Sequence, residues 1–166
     1  MTTGGSAGGH LSSLLALTPN QEVFQPGFES EDTTVQGCVP FYGIYDFLDR
    51  KQLQRNAGLS IVLRKRVVGQ TKEQAPELYE QLSPISQISA KAPPFLIIHG
   101  DKDTLTPLAD AQYFASELDQ VSDQSVEFAE IAGAQHAFDV FTSLRSDYVV
   151  QGIAERLEQW FRDHRA

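Results

Sequence analysis

The segment GGSAG at residues 4–8 limits the possible folds of this chain more than any other part of the sequence. It fits the pattern G-x-S-x-G, in which a serine occupies a sharp turn between a strand and a helix. Such a turn is crowded, and both variable positions, Gly5 and Ala7, are small. We therefore expect residues 1–3 to belong to a strand and the residues after Ser6 to begin a helix. The alternative is a flexible glycine-rich loop.

The spacing of apolar residues predicts strands that alternate with helices. Helices are predicted over 7–17, 108–121 and 147–165, with helical patterns also within 46–79, and residues 20–33 are expected to form a loop. Strands are predicted over 35–42, 95–98 and 126–131, and Pro40 is expected to mark the end of the first. Strands separated by helices favour an α/β fold with a mainly parallel sheet flanked by helices.

Two of these strands end in segments that carry ionisable side chains. HGDKD, residues 99–103, closes the strand at 95–98, and AGAQH, residues 132–136, follows the strand at 126–131. Because the carboxyl ends of parallel strands meet at one edge of a sheet, Ser6, Asp103 and His136 are expected to lie together there. The chain order serine, acid, histidine is the order that a serine nucleophile on such a turn requires. Asp101 and, less favoured, Asp139 are the alternative acids, and Asp101 is expected to brace its own turn.

The remaining histidines have weaker claims to chemistry. His10 should lie one helical turn after Ser6, where it is expected to support the site rather than to act as the base. Gly5, His10 and Asp101 are the candidates for supporting the site or for binding substrate. His99 is expected to be a structural hydrogen-bonding residue at a strand end, and His164 to lie in a solvated tail. Cys38 has no second cysteine to pair with and is expected in the core.

Charge and composition exclude several classes of function. The chain has 13 Lys and Arg against 22 Asp and Glu, a formal net charge of −9, which disfavours nucleic acid as a partner. No apolar run approaches the roughly 18 residues that a transmembrane helix needs. No signal-peptide pattern opens the chain. No His/Cys cluster has metal-binding spacing and no phosphate-binding loop is present, so no metal or cofactor is expected. The oligomeric state is left open.

Segment 47–90 is a candidate cap over the site. Its basic cluster, Arg64-Lys65-Arg66 with Lys51 and Arg55, is expected to be a solvated helix face. If the segment roofs a substrate pocket, the side chains expected to contact substrate are Phe47, Leu48, Leu59 and Tyr79.

The motifs GGSAGGHL and HGDKDTLTP, with the glycine-preceded His136, together resemble the C-terminal portion of a serine α/β-hydrolase. The resemblance covers essentially the whole chain and is strongest to bacterial carboxylesterases and lipases of the hormone-sensitive-lipase and arylformamidase-like group. It implies the α/β-hydrolase fold, with Ser6 as nucleophile on its elbow, Asp103 as acid and His136 as base. The backbone N–H of Ala7 would bind the oxyanion. The implied reaction is hydrolysis of small-molecule esters with short or medium acyl groups through an acyl-enzyme.

Enzymes of this group carry further strands and an HGGG-type loop before the elbow. We therefore expect residues 1–166 to be the C-terminal part of such a domain, with the N-terminal strands missing. The alternative function is that of a non-catalytic remnant or interaction module that keeps the triad residues but lacks a complete oxyanion hole. Peptidase, acetyl-sugar esterase and formamidase chemistry stay open as alternatives within the enzyme class.

Overall fold

The structure is a computed structural model that describes residues 1–54 and 56–163. Its strands and helices are, in chain order, β1 (Thr2–Gly5), α1 (Ala7–Leu17), β2 (Cys38–Phe41), α2 (Ala57–Val62), α3 (Pro76–Gln81), β3 (Phe95–Gly100), α4 (Leu108–Val121), β4 (Val126–Ile131) and α5 (Leu144–Asp163). A π-helical turn, Leu63–Val67, continues α2, and short 3-10 turns lie at Glu22–Phe24 and Pro84–Gln87. Residues 1–136 form one compact unit, and the chain from residue 137 onward forms a second.

The sheet of the first unit has four strands in the order β1-β2-β3-β4, all parallel. Thr2 lies opposite Cys38, and Phe95 lies opposite both Cys38 and Val126. Helices connect the strands, which confirms the α/β class predicted from the alternating pattern. This order brings the carboxyl ends of β1, β3 and β4 to the same edge of the sheet.

Pro40 lies inside β2 and does not end it, contrary to the prediction. Cys38 and Tyr42 donate their backbone N–H groups to Pro94 and Ile98 on the β3 side, at 3.0 and 2.8 Å. The backbone group at position 40 faces the same way, because alternate residues of a strand do. Since proline has no N–H, one rung of the β2–β3 ladder is missing there, which the strand tolerates because its neighbours are bonded.

The main core of the first unit lies against α1, β3 and α4. On α4 the buried residues recur with helical spacing, as predicted, and the ring of Phe114 stacks on Tyr45 with centroids 4.3 Å apart. The buried members of this core are Ala16, Leu17, Cys38, Tyr45, Ala92, Phe95, Ile97, Ala111, Phe114, Ala115 and Leu118.

Segment 46–79 is much less helical than its apolar pattern predicted. Asp49 and Gln52 have positive φ angles of 53° and 55°, which a continuous helix cannot include. Among the described residues of this segment, helix is confined to α2 with its π-helical turn and to α3. Leu59 and Leu63, one turn apart, pack with Ile44, Phe47 and Tyr79 in a second apolar cluster, so the segment is anchored by one stripe of side chains. Arg55 of the basic cluster lies outside the described residues.

In the second unit, α5 begins three residues before its predicted start. Ser143 accepts a hydrogen bond from the backbone N–H of Ser146 at 3.0 Å, and Ser146 Oγ accepts one from the N–H of Ser143 at 2.7 Å. This reciprocal cap satisfies donors that the first helical turn leaves free. His164 and Arg165 lie outside the described residues. No helix of the described residues is long and apolar enough to cross a bilayer.

Candidate active site

Ser6 lies in a strained turn between β1 and α1. Its φ and ψ angles are 56° and −117°, a region that residues with a side chain rarely adopt. The Ser6 N–H donates to the carbonyl of Phe41 at 3.0 Å, and the Ser6 carbonyl accepts from the N–H of His10 at 3.0 Å. The turn is thus held from β2 on one side and from the first turn of α1 on the other. Strain of this kind costs roughly 1–3 kcal/mol and persists where such contacts impose it.

The backbone around the turn is crowded at Gly4, Gly5 and Gly9 but not at Gly8, the last glycine of the G-x-S-x-G pattern. A Cβ on Gly4 would lie 2.7 Å from the carbonyl carbon of Gly8, and a Cβ on Gly9 would lie 2.5 Å from the Phe41 oxygen. A Cβ on Gly5 would lie 2.6 Å from the Tyr42 hydroxyl. A Cβ on Gly8 would meet nothing within 4 Å. The close approach of strand and helix therefore depends on Gly4 and Gly9, whereas Gly8 has space for a side chain.

Ser6, His136 and Asp103 are joined by two short hydrogen bonds. His136 Nδ1 lies 2.7 Å from Asp103 Oδ2, and His136 Nε2 lies 2.9 Å from Ser6 Oγ. Because a carboxylate only accepts, the proton of a neutral His136 is on Nδ1, and Nε2 accepts from the serine hydroxyl. The Asp103 side chain is fully buried, while that of His136 is 16% exposed. The three residues come from the ends of β1, β3 and β4, as the chain order required.

The Asp103 carboxylate is kept ionised by its donors. Burial alone would raise its pKa, but hydrogen bonds from His136, Thr106 and Leu105 outweigh burial and hold the pKa below its usual value. Oδ1 accepts the backbone N–H groups of Leu105 and Thr106 at 2.8 and 2.9 Å. Asp103 is therefore an anion that can support a positive charge on His136.

Asp101 lies outside this chain of hydrogen bonds. Its carboxylate accepts the backbone N–H of Gly133, and the N–H of Lys102 donates to the Ala134 carbonyl at 3.0 Å. Asp101 therefore braces the loop that leads to His136, and not only its own turn as predicted. Asp139, the third candidate acid, belongs to the second unit.

Ala7 is the first residue of α1, so its N–H has no partner within the helix. Ala7 and Ser6 line the same cavity. The helix N-terminus adds its positive partial charge at this point. The local environment thus suits an oxyanion formed on a group bonded to Ser6.

His10 contacts the loop after β2. Its Nδ1 lies 2.9 Å from the carbonyl of Ile44, and its ring stacks on Phe47 with centroids 4.4 Å apart. Burial, partly opposed by the bond to Ile44, lowers the pKa of His10, so the ring is neutral near pH 7. His10 therefore fixes one wall of the cavity beside Ser6.

An apolar cavity of about 610 Å³ lies beside Ser6. Phe47 and Leu59, two of the side chains expected to contact substrate, line it. Tyr79 is buried and lines an adjacent, more polar cavity of about 460 Å³, which shares Phe47 with the apolar one. Leu48 packs on the second apolar cluster. The residues around the apolar cavity are Ser6, Ala7, His10, Leu11, Leu14, Ile44, Phe47, Asn56, Gly58, Leu59, Val62, Leu63, Val67, Leu82 and Leu105.

Two residues of the site, Thr106 and Tyr42, were not predicted from the sequence. Thr106 is buried and donates its hydroxyl to Asp103 Oδ2 at 2.9 Å. The Tyr42 ring meets His136 edge-on, with centroids 4.8 Å apart. A threonine three residues after an acid is a recognisable turn pattern, but nothing in the sequence marks Tyr42. Within the described residues no cluster of His, Cys, Asp and Glu side chains is placed to hold a metal ion.

Comparison with known proteins finds one family model and relatives that are named as ester hydrolases. The family model named BD-FAE matches residues 1–118. A probable carboxylic ester hydrolase, LipM of Mycobacterium tuberculosis, is 46% identical over 164 residues, covering 99% of this chain and 38% of the relative. Esterase LipC of the same organism is 39% identical over 160 residues, with 96% and 40% covered. The chain thus spans about two fifths of the length of these curated relatives.

Solved structures show the same fold at lower identity. A thermophilic esterase from Thermogutta terrifontis superposes with a TM-score of 0.74 at 23% identity, over 97% of this chain and 53% of that one. A truncated carbohydrate esterase from gut microbiota gives a TM-score of 0.70 at 20% identity, over 92% and 57%. At these identities the likeness concerns the fold.

Proposed function

This chain belongs to the BD-FAE family and has an α/β-hydrolase fold, and on that premise we propose that it hydrolyses carboxylic esters through an acyl-enzyme on Ser6. The observation that carries the proposal is the continuous chain of hydrogen bonds from Ser6 through His136 to the ionised Asp103, at 2.9 and 2.7 Å. The relatives named esterase and carboxylic ester hydrolase support the reaction class.

In the first half of the reaction, Ser6 Oγ attacks the carbonyl carbon of the ester while His136 Nε2 takes its proton. Asp103 holds the imidazole in the required tautomer and stabilises the imidazolium. The carbonyl oxygen becomes an oxyanion, which the N–H of Ala7 and the N-terminus of α1 stabilise. When the tetrahedral intermediate collapses, the alcohol leaves with the proton from His136, and the acyl group stays on Ser6.

In the second half, water attacks the acyl carbon and gives a proton to His136. The second tetrahedral intermediate expels Ser6 Oγ, which recovers that proton, and the carboxylic acid is released. Each proton that His136 accepts is therefore returned, and the enzyme ends in its initial state.

The cavity beside Ser6 supports a substrate with an apolar group of short or medium length. Its walls are mostly aliphatic side chains, and Phe47 adds a phenyl ring to them. Segment 47–90 supplies Phe47, Leu59 and Leu63 to these walls, which supports its assignment as a cap over the substrate. Burial of each methylene of an acyl chain there contributes about 0.8 kcal/mol to binding.

The test is a series of p-nitrophenyl esters of increasing acyl length, assayed with the wild type and with Ser6→Ala and His136→Ala. We expect turnover by the wild type and a loss of about 10³-fold or more in kcat for both variants. Ser116→Ala, which changes an exposed serine on α4, is the matched control and should keep wild-type activity. A folded wild type that turns over no ester would favour the non-catalytic alternative, and full activity of either site variant would exclude the assigned roles.

A further inference from the structure

His99 is a buried histidine that the proposed reaction does not use. It lies at the end of β3, fully shielded from solvent. Its Nε2 lies 2.8 Å from the backbone carbonyl of Thr106 and 3.5 Å from Asp103 Oδ2. Since a carbonyl oxygen only accepts, the ring proton is on Nε2, and this N–H also faces the carboxylate of Asp103.

The surroundings of the other ring nitrogen, Nδ1, favour the neutral form of His99. Nδ1 is buried and has no hydrogen-bond partner among the residues that the structure describes. Protonation would place an N–H where no acceptor is available, which is costly in a buried site. Burial lowers the pKa of His99, and His136 also lowers it, against the raising influence of the Thr106 carbonyl and of Asp103. A neutral His99 does not compete with His136 for the charge of Asp103.

Thr106 connects His99 to the acid. Its backbone N–H donates to Asp103 Oδ1 and its hydroxyl to Oδ2, both at 2.9 Å. One residue thus contacts both carboxylate oxygens, and its own carbonyl is tied to β3 through His99. The orientation of the Asp103 carboxylate is therefore fixed relative to β3 of the sheet and not only by its own turn.

We propose that His99 is a positioning residue, which as the neutral Nε2–H tautomer anchors the Thr106 carbonyl and thereby holds Asp103 in the orientation that His136 requires. The inference rests on the proposed function, because the positioned groups are those assigned to ester hydrolysis. The tautomer of His99 and its contact with Thr106 exist without substrate, however, and can be tested without any ester hydrolysis.

The kinetic test compares two substitutions of similar length at position 99. His99→Gln keeps an N–H donor near the position of Nε2, whereas His99→Met has none. We expect His99→Met to lower kcat about tenfold to a hundredfold with little change in KM, the scale that a displaced catalytic group produces. The acid limb of its pH–rate profile should move to lower pH, because a misaligned carboxylate stabilises the His136 imidazolium less. His99→Gln should recover kcat to within about threefold and restore the acid limb.

A wild-type kcat and acid limb in His99→Met would overturn the proposal. So would a loss of kcat that His99→Gln does not recover, because it would indicate a purely structural role. If His99→Met does not fold, the tautomer of His99 in the wild type, measured by NMR, decides the proposal.

The second test needs no activity. Nitrogen-15 NMR of the histidine side chains in the wild type should show His99 protonated at Nε2 alone at pH 7. A proton on Nδ1 would overturn the proposal. If the wild type hydrolyses no ester, the proposed function fails, and the NMR result still decides the tautomer and the contact on which positioning depends.

Discussion

Asp110 should make the protein less stable as the pH rises towards neutrality. It lies in the first turn of α4, is buried, and accepts the backbone N–H of Tyr45 at 3.2 Å. Burial raises its pKa to about 7, partly opposed by the bond from Tyr45 and reinforced by Asp46 and Asp49. Because the folded pKa exceeds the unfolded value of 3.8, the folded state binds this proton more tightly than the unfolded chain does.

The sign and size of the effect follow from that difference. The stabilisation is complete below pH 3.8 and is lost as the pH rises through about 7. A difference of about 3 pKa units corresponds to about 4 kcal/mol, of which about 3 kcal/mol is lost between pH 5 and pH 9. Asp110→Asn keeps an oxygen for the Tyr45 N–H but carries no titrating proton, so its free energy of unfolding should lack this decline.

Urea unfolding of the wild type and Asp110→Asn at pH 5, 7 and 9 measures the effect. The variant should gain about 3 kcal/mol relative to the wild type between pH 5 and pH 9. Asp119→Asn, which changes an exposed carboxylate on the same helix, is the control and should leave the pH dependence of the wild type unchanged. An equal difference in unfolding free energy between Asp110→Asn and the wild type at every pH would refute the reasoning.

Three further substitutions test the site and its surroundings. Gly9→Ala should destabilise the protein by about 1–3 kcal/mol in urea unfolding, because its Cβ would overlap the Phe41 carbonyl, whereas Gly8→Ala should be neutral or stabilising by up to about 1 kcal/mol; equal effects would contradict the packing described. His10→Leu should cost about 1–3 kcal/mol in the same assay, since the Ile44 carbonyl loses its partner; unchanged stability would argue against that bond. Leu59→Trp should shift the preferred p-nitrophenyl ester to a shorter acyl chain by reducing the cavity, and an unchanged preference would place the acyl group elsewhere.

Much of the fold was predictable because periodicity is strong where an element packs on one face only. The bounds of α1, α4 and β4 agree with those predicted from the spacing of apolar residues. The proximity of Ser6, Asp103 and His136 followed from two facts that a sequence carries, namely their order and their positions after parallel strands. Their roles in catalysis remain the proposal made above.

Other features depend on local backbone geometry that composition does not reveal. The positive φ angles at Asp49 and Gln52 interrupt a pattern that otherwise predicts helix. Pro40 is tolerated inside β2 because only one ladder bond is lost. The crowding at Gly9 rather than Gly8 depends on how closely α1 approaches Phe41, and the roles of Thr106 and His99 depend on the hydrogen bonds of the turn that follows β3.

Intact-mass spectrometry after treatment with a fluorophosphonate tests the activation of Ser6, using the wild type beside Ser6→Ala. Attack by Ser6 Oγ on phosphorus expels fluoride, and His136 takes the serine proton, so labelling requires the hydrogen-bond chain but no particular acyl pocket. We expect a single phosphonyl adduct on the wild type and none on Ser6→Ala. A folded wild type that stays unlabelled, or a Ser6→Ala variant that is labelled equally, would contradict the assignment of Ser6 as an activated nucleophile.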